Sequence, residues 1–337
     1  MEKYKYAAND ESLMTPFLYR FFISPMLKLV PYQIPANFIT LISNSCVVVA
    51  FLIACFGYYN ANFNFYALIP ILCFCYLVGD CFDGVQARRT KTGSPLGEYF
   101  DHFLDSFVTG LLVGTLLFAL RSKNWLTLLL PFQFLYLGQI GAFWERLKTG
   151  VISFAKISTS EGVMAIAFSS LLASFTFVQP LIVNKIFFSI SIFDLIVITG
   201  FFFAGVAGVK AIIVSKDFNL KLCLHILFSY GVTFLCIYFS YSILFITLIT
   251  TFYNAFFISP ILSSSIGESE RHPDLLVPLS FILFIFMPKY VFVISVFQLI
   301  YLSLRIIVRF SVFFYKNKHY WVWWNKECYE IDLFQKH

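Results

Sequence analysis

The sequence predicts an all-α integral membrane protein: a helical bundle of about ten transmembrane helices, preceded by an N-terminal amphipathic helix at the membrane interface. The 337-residue chain is 59% hydrophobic and only 12% charged, whereas soluble domains carry about 25% charged residues. Apolar runs of roughly 17–22 residues recur along the chain, and a helix of that length crosses ~30 Å of hydrocarbon. We place the predicted spans at residues 38–57, 64–80, 103–120, 125–142, 163–179, 188–214, 222–239, 243–262, 274–288 and 290–312.

The first 36 residues are predicted to lie along the membrane surface. Residues 13–30, LMTPFLYRFFISPMLKLV, mix large apolar side chains with Arg20 and Lys28 and contain Pro16 and Pro25. Basic and apolar residues in one short segment are typical of an interfacial amphipathic helix. The two prolines disfavour a continuous spanning helix.

Basic residues predict the orientation of the chain. Lys and Arg concentrate in the N-terminal segment, around 81–102, around 143–162 and in the tail, while the alternate loops hold few. Loops rich in Lys and Arg stay in the cytoplasm, so both termini and residues 81–102 are predicted to be cytoplasmic. The net charge of +6 follows from this bias. It favours contact with anionic lipid headgroups and gives no indication of nucleic-acid binding.

An acidic stretch, GDCFDGVQARRTKTGSPLGEYFDHFLDS at 79–106, lies between two apolar runs. Asp80 and Asp83 end the second predicted span, about 60° apart around a helix, and Asp101 and Asp105 open the third, about 40° apart. A loop at 84–97 is short enough to place the two helices side by side. The four carboxylates are therefore predicted to converge at the cytoplasmic end of the bundle.

Four convergent carboxylates repel one another and need a compensating charge. Oxygen ligands select hard divalent cations, and four carboxylates can hold two ions ~4 Å apart, as phosphoryl displacement requires. Small residues at Gly84, Ala87, Gly93 and Gly97 leave room for a ligand, and Arg88 offers a bidentate contact to phosphate. A single Asp pair is more simply a helix cap. Two pairs at this spacing favour a metal and phosphate site.

The pattern that starts at Asp80 resembles a family motif. Asp80-x-x-Asp83-Gly84-x-x-Ala87-Arg88, eight residues, then Gly97-x-x-x-Asp101-x-x-x-Asp105 resembles the CDP-alcohol phosphotransferase motif at every fixed position. The segments DGVQARRT, SPLGEYFDH and FWERLKTGVISFAKISTSEG resemble its choline/ethanolamine phosphotransferase branch. PANFITL differs from that branch, because Ala36 separates the Pro and Asn that are usually adjacent.

This resemblance implies a transferase that moves phosphocholine or phosphoethanolamine from CDP-choline or CDP-ethanolamine to the hydroxyl of diacylglycerol and releases CMP. It implies two Mg²⁺ or Mn²⁺ ions. His102 is the predicted general base, with Asp105 as the alternative. The implied residues are Asp80, Asp83, Asp101 and Asp105 for the metals, Asn37, Gly84, Ala87, Arg88 and Gly97 for the CDP-alcohol, and Glu98, Glu145 and Glu161 for supporting or headgroup contacts.

The resemblance also implies a homodimer, in a bacterial cell membrane or the endoplasmic reticulum of a eukaryote. The predicted regions are an interfacial segment at 1–36, catalytic helices at 37–215, helices for lipid access or dimerisation at 216–315, and a cytoplasmic tail at 316–337. Two alternatives stay open: a phosphatidyltransferase that uses CDP-diacylglycerol and a polar acceptor, and a non-catalytic membrane subunit or transporter. His102 and the span count disfavour the first. The cost of intramembrane carboxylates disfavours the second.

Overall fold

Helices make up nearly all of the described structure. The computed structural model describes residues 8–60, 63–154, 159–175, 177–178, 181–182, 185–187, 190–263 and 272–318. The helices are α1 (Met14–Leu18), α2 (Ser24–Leu29), α3 (Ala36–Tyr59), α4 (Ile69–Thr90), α5 (Pro95–Leu120), α6 (Trp125–Thr149), α7 (Thr159–Ser174), α8 (Ile192–Val214), α9 (Leu220–Tyr238), α10 (Ile243–Ser263), α11 (Leu276–Ser280), α12 (Leu283–Phe286) and α13 (Val291–Asn317). Strand β1 (Ala8–Asp10) pairs in parallel with β2 (Ile152–Phe154), and β3 (Lys185–Phe187) pairs antiparallel with β4 (Ile190–Ser191).

The polytopic helical bundle is confirmed, although its described part has fewer spans than predicted. Eight described helices are long and apolar enough to cross a membrane: α3, α4, α5, α6, α8, α9, α10 and α13. The span predicted at 163–179 corresponds to α7, which has 16 residues, and the span predicted at 274–288 is divided between α11 and α12. Pro288, which has no N–H for a continuous helix, follows α12 and separates it from α13, whereas Pro278 lies inside α11 and the division at residues 281–282 contains no proline.

The N-terminal amphipathic helix is present. A π-helical turn at Tyr19–Ile23 joins α1 to α2. Leu18 and Ile23 are fully buried against the bundle, whereas Phe21 and Leu29 are exposed. A segment with one buried and one exposed apolar side suits the membrane interface. Its position in a bilayer stays a prediction, and residues 1–7 and 319–337, including nearly all of the predicted tail, lie outside the described residues.

The connection between α4 and α5 is shorter than predicted. α4 continues through residues 84–90 and ends where Lys91 adopts a left-handed backbone (φ 56°). The next helix starts where the Ser94 hydroxyl accepts a hydrogen bond from Gly97 N at 3.0 Å, with Pro95 as its first residue. The predicted 84–97 loop is therefore wrong and the connection is 91–94, because one Gly inside a helix is tolerated while Ser-Pro is a strong start signal.

Close helix packing places the ends of α4 and α5 near each other. α3 packs against both helices. A methyl group added at Gly79 would lie 2.5 Å from Ser43 Cβ, and one added at Gly114 would lie 2.8 Å from the Phe51 ring. Small residues let membrane helices approach closely without a hydrophobic driving force. The contacts at Gly79 and Gly114 therefore fix α3 against both acidic helices.

Candidate active site

Three carboxylates from α4 and α5 meet at one end of the bundle. Asp80 comes from α4, Asp101 and Asp105 come from α5, and one oxygen of each lies within 4.8 Å of the other two. Asp101 and Asp105 are about one turn apart, so they share a face of α5. The Tyr76 hydroxyl on α4 donates to Asp105 Oδ1 at 3.0 Å. The structure thus brings together three of the four predicted metal ligands.

The fourth predicted ligand, Asp83, is held at the edge of this cluster by α3. Asp83 is 4% exposed, and the Thr40 hydroxyl donates to its Oδ2 at 2.5 Å. Sequence reasoning missed Thr40, since a threonine inside an apolar run gives no functional signal. Only the packing of α3 on α4 reveals its contact.

The donor set fits a hard divalent cation. Every grouped donor atom is a carboxylate oxygen. Among the described residues, Asp101 Oδ1 is buried and has no hydrogen-bond partner. A buried anionic oxygen without a donor is costly, and a bound cation removes that cost. Asp80, Asp101 and Asp105 therefore suit the predicted Mg²⁺ or Mn²⁺, while the identity and number of ions stay predictions.

The buried His102 ring lies beside the carboxylates. Its Nε2 is 3.9 Å from Asp101 Oδ2, and its Nδ1 is 3.8 Å from Glu98 Oε1, both longer than a hydrogen bond. The Phe143 ring on α6 packs beside it, with the ring centroids 5.2 Å apart. This position between Glu98 and Asp101 is compatible with the predicted base, but it does not distinguish His102 from Asp105.

Arg146 on α6 is a further residue of this site that the sequence did not reveal. Its guanidinium forms an ion pair with Glu98, and its Nη1 lies 3.4 Å from His102 Nδ1. In the sequence, Arg146 counts only among the basic residues that predict orientation. Because α6 continues to Thr149, Arg146 extends from a helix toward the carboxylates. Glu98 therefore pairs with the Arg146 guanidinium and also lies close to the His102 ring.

The residues predicted to bind the CDP-alcohol lie in two neighbouring places. Asn37, at the start of α3, faces the first turn of α5: a methyl group added at Gly97 would lie 3.2 Å from Asn37 Oδ1. The turn 84–88 follows Asp83 along α4. At its end, the exposed Arg88 donates to the Tyr19 hydroxyl at 3.3 Å. Nucleotide binding by these residues stays a prediction.

The two remaining acidic residues differ in their surroundings. Glu161 Oε1 accepts hydrogen bonds from the Ser12 hydroxyl at 2.8 Å and from Met14 N at 2.9 Å. These contacts fasten the N-terminal segment to α7. Glu145 is buried in α6, directly before Arg146. Headgroup contact by either glutamate stays a prediction.

Comparison with known proteins agrees with this geometry. The profile of the family described as CDP-alcohol phosphatidyltransferase matches residues 33–197. The chain carries a CDP-alcohol phosphatidyltransferase domain. The matched range contains the carboxylate cluster, His102, Arg146 and Thr40.

Curated relatives support the choline/ethanolamine phosphotransferase branch of this family. "Uncharacterized CDP-alcohol phosphatidyltransferase class-I family protein 3" of Dictyostelium discoideum is 32% identical, over 49% of this chain and 43% of its own. Cholinephosphotransferase 1 of Gallus gallus is 31% identical over 52% of this chain and 53% of its own. Choline/ethanolaminephosphotransferase 1 of Arabidopsis thaliana is 28% identical over 50% and 44%. The chain thus spans about half the length of the relatives it matches.

Proposed function

We propose that this protein transfers phosphocholine or phosphoethanolamine from a CDP-alcohol to the hydroxyl of diacylglycerol and releases CMP. The observation that carries the proposal is the cluster of Asp80, Asp101 and Asp105, with one oxygen of each within 4.8 Å of the other two. Relatives named as choline and choline/ethanolamine phosphotransferases support this choice of substrates. When bound, Mg²⁺ or Mn²⁺ would neutralise the diphosphate and make CMP a better leaving group.

The chain's own residues position the donor. Asp80, Asp101 and Asp105 would hold the metal, with Asp83 oriented beside them by Thr40. Arg88 is exposed one turn beyond Gly84. In this proposal its guanidinium pairs with the phosphate oxygens of the CDP-alcohol. Gly84 on α4 and Gly97 on α5 have no side chain, which leaves room for the nucleotide to approach both helices.

The acceptor hydroxyl must lose a proton as it attacks. A bond forms between its oxygen and the phosphorus that bears the alcohol, and the bond to the bridging oxygen breaks, leaving the electron pair on CMP. In this proposal His102 Nε2 takes the proton while Nδ1–H turns to Glu98, which is 3.8 Å away. The present contact of Arg146 with Nδ1 at 3.4 Å favours the opposite tautomer. Proton uptake therefore requires Arg146 to move away from the ring.

Orientation and assembly are part of the proposal. We infer that the site faces the cytoplasm, because Lys and Arg are concentrated on the loops at the carboxylate end and such loops stay in the cytoplasm. The homodimer rests on family resemblance alone. A multi-pass location follows from the eight candidate spans among the described residues.

CMP release by the purified, reconstituted protein tests the substrates. We expect CMP from CDP-choline or CDP-ethanolamine with diacylglycerol. CDP-diacylglycerol with inositol, serine or glycerol phosphate should give none. The matched control is Asp80→Asn, which keeps the side-chain shape and removes a charge. CMP release only from CDP-diacylglycerol would reverse the roles of lipid and alcohol, and none from any donor would support a non-catalytic membrane protein.

A further inference from the structure

A groove with two arginines opens between α10 and α13, on a face of α5 other than the carboxylate face. Its volume is about 500 Å³, within the range of sites that bind small molecules. Tyr99, Ser259, Arg305, Val308 and Arg309 are among its lining residues. Because Tyr99 lies in the second turn of α5, the groove is at the same end of the bundle as the carboxylates.

Arg309 has a structural contact that accounts for only one of its donors. Pro260, inside α10, has no N–H to give to the carbonyl of Phe256. Arg309 Nη1 donates to that carbonyl at 2.7 Å, and its guanidinium carbon lies 4.1 Å from the Phe256 ring centroid. A guanidinium carries five N–H donors in a planar fork. Arg309 can therefore join α13 to α10 and still offer donors to a ligand in the groove.

Arg305 lies one turn earlier on α13, with its side chain 49% exposed. Its Nη1 donates to the Tyr301 hydroxyl at 2.6 Å and lies 3.9 Å from Asp274 Oδ2. Asp274 in turn accepts from the Tyr301 hydroxyl at 2.7 Å and is almost fully buried. The groove lining thus contains two guanidinium groups, and the carboxylate of Asp274 lies beside Arg305, so the lining keeps an excess of positive charge.

One side of the groove is an apolar strip on the exposed face of α13. Leu304, Val308 and Val312 line it on that helix, and Leu304 and Val308 are more than half exposed. Two arginines within a candidate membrane span are costly and call for a partner. Positive charge beside an exposed apolar strip matches a phosphate headgroup joined to acyl chains.

We propose that this groove binds one anionic phospholipid, with its phosphate on Arg305 and Arg309 and its acyl chains along Leu304, Val308 and Val312. Arg309 joins the Phe256 carbonyl of α10 to α13, so the lipid would contact the same side chain that links the two helices. The site is separate from the carboxylate cluster. The proposal does not depend on the proposed transferase activity.

Native mass spectrometry of the detergent-purified full chain tests it. Phosphatidylserine, phosphatidylcholine and inorganic phosphate are the probes, and the affinity of each is measured by titration. We expect phosphatidylserine to bind at least tenfold more tightly than phosphatidylcholine, and Arg305→Gln to weaken phosphatidylserine binding about tenfold. Lys318→Gln removes a charge from the residue just after α13, outside the groove lining, and should change the affinity less than twofold.

A steric variant keeps the test independent of charge. Val308→Trp fills the groove and should also weaken phosphatidylserine binding about tenfold, whereas Ile307→Trp, on an exposed position that does not line the groove, should not. Equal affinity for phosphatidylserine and phosphatidylcholine would overturn the proposal. So would competition by inorganic phosphate at equal concentration, which would indicate a free-phosphate site. Loss of a dimer in Val308→Trp with lipid binding unchanged would instead assign the groove to a second copy of the chain.

Discussion

Replacing Thr40 by valine tests whether α3 positions the metal-ligand cluster. The Thr40 hydroxyl donates to Asp83 Oδ2 at 2.5 Å, and both side chains are buried. Valine keeps the shape and removes the donor, so the carboxylate loses a charge-assisted hydrogen bond that water cannot replace. Such bonds contribute about 1.5–3 kcal/mol. If Asp83 acts in the transition state, turnover should fall ~10- to 150-fold, at about 1.4 kcal/mol per factor of ten.

The assay is CMP release with whichever CDP-linked donor supports turnover, at varied Mg²⁺. A misplaced Asp83 should also raise the Mg²⁺ concentration that gives half-maximal activity, which a simple loss of folded protein would not do. Thr40→Ser retains the hydroxyl and should keep at least half of the turnover. The matched control is Thr115→Val, because Thr115 is fully buried and, among the described residues, its hydroxyl donates to the Leu111 carbonyl of its own helix and not to a carboxylate.

Two results would refute this reasoning. Turnover of Thr40→Val within twofold of the wild type would show that the hydroxyl does not position Asp83. If Thr40→Ser lost as much turnover as Thr40→Val, the effect would come from altered packing at position 40, because serine keeps the hydroxyl that donates to Asp83. The unfolding midpoint of each variant, measured in the same detergent, separates both results from general destabilisation.

Three further predictions follow from the site and the chain orientation. Asp101→Ala should lower turnover at least ~10³-fold, and EDTA should abolish activity until Mg²⁺ or Mn²⁺ is restored; full activity after exhaustive EDTA treatment would contradict metal dependence. His102→Ala should lower turnover ~10²–10⁴-fold with CDP-alcohol binding nearly unchanged; if it retains more than about a tenth of the turnover, Asp105 is the better base. In a cysteine-free background, Gly93→Cys and Lys123→Cys, at exposed loop positions, should be labelled from opposite sides of the membrane. Labelling from one side would show that α5 does not span it.

The acidic pattern illustrates how far local spacing can predict a site. Asp101 and Asp105 share a helix face because of the 3.6-residue period, which any helix obeys, and the structure places their oxygens together with that of Asp80. The predicted connection between the helices, residues 84–97, was too long, since the structure has it at 91–94. The intact helix through residues 84–90 shows that one glycine does not end a helix whose other residues favour it.

The sequence by itself predicted the membrane class and the resemblance that the profile match over residues 33–197 supports, since these depend on composition, run length and spacing within 26 residues. The metal chemistry that the same spacing predicts stays a prediction. Only the tertiary structure decided which side chains support the site. Thr40 contacts Asp83 across 43 positions, and Arg146 contacts His102 across 44. It also decided that residues 276–286 form two short helices. Helix periodicity is a local property, whereas these partners depend on how closely α3, α4, α5 and α6 pack, and small residues such as Gly79 control that approach.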